Sequence, residues 1–292
     1  MMKFIVAATD FSDVARHATD RAAIVAREQQ APLELVHVIS GSSLNALHKL
    51  LRASAEVEAK LVDDAQHTLK EWMTDVARMT HAAVAARVRI GPVLDEILSA
   101  SEAADLLVLG AHGLNPLRDL ILGTTAERLL RKCKRPVLVT KHPPDAAYGR
   151  VIVPVDFSPS SATALKMAMQ IAPDAGITIV HAFRVPLEGR LRIAGASDEA
   201  IHTYCEEERQ EAVNKIRDLI QGFTGDPHRI SFAVERGDAS RLILAKEEEL
   251  SADVIVIGKH GQSILEELLL GGVTRHVLAG SKCDVLVVNE RP

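Results

Sequence analysis

The sequence predicts an α/β protein built as two tandem doubly wound domains, each a five-stranded parallel sheet with helices on both faces. Three observations predict it. Short runs of Val, Ile and Leu alternate with longer stretches of helical period, the pattern of strands buried between helices. The whole pattern then occurs a second time in the same order. Aromatics make up only 3% of the chain while apolar residues make up 47%, so Ala, Val, Leu and Ile must fill the core. That core suits helices on a parallel sheet. A length of 292 residues also favours two domains, each able to bury its own core.

The first half places strands at about 4–8, 33–38, 83–90, 106–109 and 137–139. After the first strand, Ser12 is a candidate N-cap, and Val14, Ala18, Ala22 and Val25 share one face of the helix that follows. The fourth strand, LLVLG, leads through a loop to the amphipathic stretch AERLLRK, and PVLVT closes the half. The segment KHPPDAAYG, residues 141–149, carries paired prolines and a glycine and reads as a linker. It divides the chain into domains over residues 1–143 and 148–292. The second half then returns each feature. KFIVAATDFSD reappears as RVIVPVDFSPS, setting Asp10 against Asp156, and LELVHVI reappears as ITIVHAF, setting His37 against His181. Gly91 before VLDEIL matches Gly237 before SRLIL, AADLLVLG matches SADVIVIG, and PVLVT matches DVLVVN. Ser158 caps the next helix with Pro159 at its first position, and Leu165, Ala168, Met169 and Ala172 form its buried stripe.

A net charge of -5 speaks against broad attraction to nucleic acid or an anionic membrane. Cys133, Cys205 and Cys283 lie far apart with no CxxC pair, which points to a reducing, cytoplasmic setting rather than a disulfide scaffold. His202 and Cys205 have a metal-like spacing without a partner pair, and no metal site is expected. No apolar run reaches the roughly 20 residues of a membrane span, and the N-terminus has too few apolar residues for a secretory signal. The run Glu206 to Glu208 and the stretch Lys246 to Glu249 read as solvated helix faces.

The chemistry lies in two copies of one glycine spacing. Gly110 and Gly113 are followed by nine residues and then Gly123-Thr124; Gly258 and Gly261 are followed by nine residues and then Gly271-Gly272. Each copy starts where a strand ends and finishes where a helix begins. Glycines let the backbone approach a ligand closely, and a helix N-terminus offers unpaired amides to an anion. In open parallel sheets ligands settle beyond the carboxyl ends of the strands, where the winding reverses. Thr9 and Asp10, after the first strand, meet the glycine loop there.

On these residues the chain resembles the universal stress protein family, in its tandem two-domain form, with an adenine-nucleotide alpha-hydrolase-like fold. The family pattern Gly-2x-Gly-9x-Gly-(Ser/Thr) is met in full by Gly110, Gly113, Gly123 and Thr124. The resemblance implies ATP, with Mg²⁺, as the ligand. It sets Asp10 beside the adenosine, Val38 at the adenine edge with Ala182 as its counterpart, and Gly110 near the ribose. Gly113, Gly123, Thr124 and Thr125 would line the phosphates. Thr124 to Glu127 also has the spacing of a capping box. The resemblance further implies that the two halves pair through their last strands as an internal pseudo-dimer, which would cover two sheet edges. Dimerisation of the whole chain and an unidentified protein partner are further possibilities.

The second copy departs from the pattern. Gly272 stands where the Ser/Thr would be, Arg275 replaces the capping glutamate, and Glu266 and Glu267 face Lys259 in the loop, where Arg118 and Asp119 balance in the first. Its candidate ligands are Asp156, Gly258, Gly261, Gly271, Gly272, Val273 and Thr274, the last able to lend a hydroxyl. The expectation is a strong first site and a second that is weaker or differently occupied. The residues alone leave other readings open. The glycines can serve turns and packing, Asp10 and Asp156 can cap helices, and His37 and His181 read as satisfied core histidines. His112 and His260, between the paired glycines, are candidates for ribose or phosphate contact or for plain loop positions. The chain shows no GxxxxGK(S/T) loop, no kinase signature and no nucleophile–base pair, so a non-enzymatic nucleotide sensor with at most slow ATP hydrolysis is expected. The alternative is a scaffold or carrier of a non-nucleotide ligand on the same fold, with Val185 to Ala196 as a candidate lid.

Overall fold

Strand β1 (Ile5–Thr9) is buried on both faces, Ile5 and Ala7 entering one apolar cluster and Val6 and Ala8 the other. That two-sided burial is why its sequence is continuously apolar instead of alternating. The computed structural model describes residues 2–41, 55–80, 83–113, 122–184, 188, 193–221, 229–261 and 269–289. In the first half β1 is followed by α1 (Asp13–Gln29), β2 (Leu33–Ser40), α2 (Ala55–Thr80), β3 (Val84–Gly91), α3 (Val93–Ser101), β4 (Leu106–Gly110), α4 (Thr124–Lys132) and β5 (Val137–Thr140). The second half repeats the order with β6 (Arg150–Pro154), α5 (Pro159–Ile171), β7 (Gly176–Phe183), α6 (Asp198–Gln221), β8 (Ile230–Arg236), α7 (Ala239–Leu250), β9 (Val254–Gly258), α8 (Gly272–Gly280) and β10 (Asp284–Val288).

All ten strands form one sheet in the order β3-β2-β1-β4-β5-β10-β9-β6-β7-β8. Within each half the pairing is parallel, and the winding reverses between the first and fourth strands. Leu69 of α2, Leu165 of α5 and Ile216 of α6 join α1 on one face; Ile97 of α3, Leu129 of α4, Ile243 of α7 and Val277 of α8 cover the other. The halves meet where β5 and β10 pair antiparallel, Leu138 opposite Leu286, so the expected pseudo-dimer through the last strands is present. Two edges that would otherwise template association are closed by this pairing.

Around that seam each half holds the helix ends of the other. Lys141 Nζ donates to the carbonyls of Leu278 (2.9 Å) and Ser281 (2.5 Å) at the end of α8. Asn289 Nδ2 donates to Cys133 O (3.1 Å), just beyond α4. A cation or donor at a helix C-terminus satisfies orphan carbonyls and the negative dipole end. The segment read as a linker is therefore anchored, with Tyr148 buried and its hydroxyl donating to Asp284 Oδ2 at 2.7 Å.

Several local expectations are corrected. Ser12 does cap α1, accepting from Ala15 N at 3.2 Å. Ser158 holds the N-cap position of α5 but makes no side-chain cap bond; its hydroxyl donates to Asp156 Oδ1 at 2.5 Å. In α5 Met167 is the buried methionine, while Met169 is half-buried against the same core. Glu247, expected on a solvated face, is buried, and its Oε1 accepts from Lys282 N and Cys283 N at 2.6 and 2.7 Å. Val185 to Ala196 falls largely outside the described residues, as do Arg118, Asp119, Glu266 and Glu267.

All three cysteines are free thiols. Cys133 is 2% and Cys283 8% exposed, and burial, with Glu247 nearby, drives the Cys283 thiol far above its usual range. Since the thiolate is the reactive form, native protein treated with a water-soluble alkylating reagent is expected to label at Cys205 first. Peptide mass spectrometry reads this, and equal early labelling at Cys283 would contradict the burial.

Candidate functional site

The carboxyl ends of β1 and β4 diverge at the switch point, and the loop after β1 enters it with an unusual backbone. Phe11 has φ 66° and its counterpart Phe157 has φ 61°. This left-handed geometry disfavours a bulky L-residue, yet both halves hold it. The Phe11 ring stacks on His37 at 4.1 Å, and the Phe157 ring lies 4.5 Å from His181. Each histidine places Nδ1 against a carbonyl of the first strand's end, Thr9 O at 2.9 Å and Val155 O at 2.8 Å. A carbonyl only accepts, so Nδ1 carries the proton in both rings. Burial holds the His37 pKa below the usual imidazole value. These are satisfied histidines that brace the loop, as expected. The phenylalanines were not singled out in the sequence; their signal was the repeated Asp-Phe-Ser.

Asp10 divides its two oxygens. Oδ1 accepts from Ser12 N (3.1 Å) and Ser12 Oγ (2.6 Å), shaping the turn into α1. Oδ2 lies against Gly113, where an added Cβ would come within 2.5 Å of it. Asp156 repeats this: Oδ1 accepts from Ser158 N (3.0 Å), Ser158 Oγ and Ser161 Oγ (2.8 Å), and Oδ2 faces Gly261 at 2.6 Å from a Cβ position. The helix-start role and the site role thus belong to different oxygens of one carboxylate.

The four glycines of each copy divide likewise. A Cβ on Gly110 would meet Val14 Cγ1 at 2.9 Å and Val14 O at 3.0 Å; one on Gly258 would meet Ser160 Oγ at 2.5 Å. The first glycine of each copy therefore permits close helix–strand packing. Gly110→Ala is expected to destabilise the protein by about 1–3 kcal/mol, because backbone of α1 must move. A urea midpoint within error of wild type would remove this packing role. Gly123 and Gly271 close the loops, donating to Ala111 O (2.7 Å) and Lys259 O (2.9 Å), and serve as N-caps of α4 and α8.

Neither helix start has a side-chain cap bond. The expected capping box is absent because Gly123, not Thr124, takes the cap position, leaving Glu127 one residue too far along. Glu127 pairs instead with Arg131 at 2.7 Å. The first-turn amides thus lack a side-chain acceptor, and Thr124 and Thr125 stand exposed beside them. That arrangement presents donors to an anion. In the second half Gly272 and Val273 are exposed, but Thr274 is buried and its hydroxyl donates to Gly258 O at 2.7 Å. The expectation that Thr274 lends its proton to a phosphate is therefore corrected.

Thr9 is buried, and its Oγ1 accepts from Phe11 N at 3.0 Å. Val38 is half-buried, and Ala182 lines a cavity of about 570 Å³ in the second half. His112 and His260 are half-buried, and His260 O accepts from Ser160 Oγ at 2.7 Å. The cavity is walled by Phe157, Val180 and Ile257 and brings together Asp156, Gly258, Gly261 and the α8 start. It also recruits Glu208, Glu211 and Lys215 from α6, residues read in the sequence as ordinary helix surface or passed over. Glu211 and Lys215 remain exposed, and their place at the cavity rim depends on how α6 lies across the sheet ends, which no local pattern encodes. Lys259, between the paired glycines, turns away: it is 5% exposed and its Nζ donates to Arg131 O of α4 at 2.6 Å.

This geometry can be set beside known proteins. The sequence model described as the universal stress protein family matches residues 1–141 and again 147–289. A universal stress protein of Mycolicibacterium smegmatis is 25% identical over 298 residues, covering 98% of this chain and 97% of its own. The crystal structure of a universal stress protein from Archaeoglobus fulgidus superposes with TM-score 0.68 at 19% identity, covering 98% of both chains. A protein of unknown function from Pseudomonas aeruginosa superposes with TM-score 0.66 at 21% identity, covering 99% of this chain and 92% of its own. These two structures bear on the fold alone.

Proposed function

Since the chain belongs to the universal stress protein family, with one family unit in each half, we propose that it is an adenine-nucleotide-binding regulatory module whose first half binds ATP with Mg²⁺. One observation carries the reading: the Asp10 carboxylate converges on Gly113 while the start of α4 has no side-chain cap. The amides of that turn and the hydroxyls of Thr124 and Thr125 fit phosphate oxygens, and Gly123 keeps the backbone near them. Asp10 Oδ2 and Val38, among the last residues of β2 before Ser40, would lie on the nucleoside side. Among the described residues no group of three or more His, Cys, Asp or Glu is placed to hold a metal ion, so magnesium would arrive on the phosphates. It would neutralise phosphate charge there.

The reading is one of occupancy rather than turnover. Among the described residues the site supplies binding groups, and Asp10, whose Oδ2 faces Gly113, has its other oxygen held in the turn by Ser12. No described helix is long and apolar enough to cross a membrane. Trp72, the sole tryptophan, reports on the first half, since it packs edge-on against Phe11 at 5.5 Å. Titration with Mg-ATP is expected to change its fluorescence along a saturable curve that calorimetry reproduces. If neither signal responds at millimolar nucleotide, the scaffold or non-nucleotide carrier reading replaces this one.

A further inference from the structure

We propose that the second-half site takes a nucleoside bearing at most one phosphate and discriminates against triphosphates. The inference rests on the adenine-nucleotide reading and assigns the ligand class of the other site. A polyphosphate is held by donors and cations, whereas the hydroxyls and amino group of a nucleoside need acceptors. The hydroxyls lining the second-half cavity have committed their protons to the protein. Ser160 donates to His260 O (2.7 Å), Ser161 to Asp156 Oδ1 (2.8 Å), and Thr274 to Gly258 O (2.7 Å). Ser161 Oγ also accepts from Asp156 N at 3.0 Å, so these buried hydroxyls hold no proton for a phosphate oxygen, and the acceptors facing the cavity are carboxylates.

The charges tell the same way. Asp156, Glu208 and Glu211 line the cavity; Lys215 is paired with Glu211 at 2.5 Å and Arg184 with Asp238. Lys259, the cation placed by sequence between the glycines, reaches into the first half instead. Among the described residues lining the cavity, the backbone amides at the start of α8 have no side-chain cap, a complement suited to one phosphate. Phe157, Val180 and Ile257 supply apolar wall for a planar base. The first half is composed in the opposite sense. Val14, Ala15 and Ala126 occupy the positions of Ser160, Ser161 and Thr274, and exposed Thr124 and Thr125 add donors at the helix start.

The test is calorimetry on the full chain with adenosine, AMP and Mg-ATP as probes, read alongside Trp72 fluorescence. Adenosine or AMP is expected to bind a site silent to Trp72, at least tenfold more tightly than Mg-ATP binds it. Asp156→Asn should weaken that event at least tenfold and leave the Trp72 response to Mg-ATP intact. Gly272→Thr gives a gain: among the described residues a Cβ there meets nothing within 4 Å, and the added hydroxyl should raise Mg-ATP affinity at this site about tenfold. Two Mg-ATP sites of equal affinity, one lost in Asp156→Asn, would overturn the inference. So would unchanged adenosine affinity in folded Asp156→Asn, or no adenosine or AMP binding at all. Asp156-dependent adenosine binding without any Mg-ATP response at Trp72 would sustain this inference and overturn the first-half reading alone.

Discussion

Replacing Asp284 with alanine is expected to lower the stability of the whole chain by about 3–5 kcal/mol, the cost of leaving a buried charge without its partner. Asp284 is 4% exposed at the start of β10, and the groups converging on it come from both halves. Arg21 of α1 approaches at 3.3 Å, the Tyr148 hydroxyl donates at 2.7 Å, and Lys141 N donates at 2.9 Å. The Arg21 guanidinium also lies over the Tyr148 ring at 4.0 Å and donates to Ala146 O. Alanine would strand a guanidinium, a phenol and an amide together, at the seam where α1 and the connecting segment meet β10. For a protein of this size the loss corresponds to a fall of about 10 °C in Tm.

Asparagine at the same position separates charge from hydrogen bonding. Burial raises the Asp284 carboxyl above its ordinary value despite the opposing effects of Lys141 N, Tyr148 and Arg21. Its ionised form is thus less favoured in the folded protein than in the unfolded chain. The contribution of this group consequently grows as pH falls through its folded pKa toward the unfolded value, opposite in sign to a salt-bridged surface carboxylate. Asp284→Asn, which keeps an acceptor for Lys141 N without a buried charge, should lose markedly less than Asp284→Ala. Urea unfolding of the three proteins decides it, and a change below 1 kcal/mol in the alanine variant would discard the network as a determinant of stability.

The repeat made most of the architecture legible, because each half stated the same strand and helix order independently. The β5–β10 pairing was expected from the family resemblance, which implies that the halves join through their last strands, PVLVT and DVLVVN. What escaped was set by tertiary approach. Glu247 sits in a run that reads as solvated helix, yet it is buried where the Lys282 and Cys283 amides arrive from another element. Lys259 sits in a glycine loop and so suggested a loop charge, but its stem crosses the seam to α4. The capping box failed by a single residue. Once Gly123 is held in extended geometry by its bond to Ala111 O, the helix is already under way at Thr124. The division of labour among the glycines, packing for Gly110 and ligand approach for Gly113, depends on what stands opposite each one, which spacing cannot say.

That division yields the second large effect. Gly113→Val is expected to lower Mg-ATP affinity in the first half by tenfold to a hundredfold while leaving the fold almost unchanged. Among the described residues a Cβ at Gly113 meets only the end of the Asp10 side chain, Oδ2 at 2.5 Å and Cγ at 3.6 Å. The carboxylate can rotate away at little cost to the core, but it then leaves the position it holds beside the loop. One lost hydrogen bond involving a charged group is worth about 1.5–3 kcal/mol, which sets the range. Gly110→Ala should behave in the reverse manner, since its Cβ is driven against the α1 backbone, with a larger fall in stability than in nucleotide response once the folded fraction is accounted for. The paired measurement is Mg-ATP titration by Trp72 fluorescence and urea unfolding on both variants. If Gly113→Val lost stability as heavily as Gly110→Ala and bound Mg-ATP like wild type, the glycine pattern would be a packing motif throughout. The convergence of Asp10 on Gly113 would then have no bearing on nucleotide.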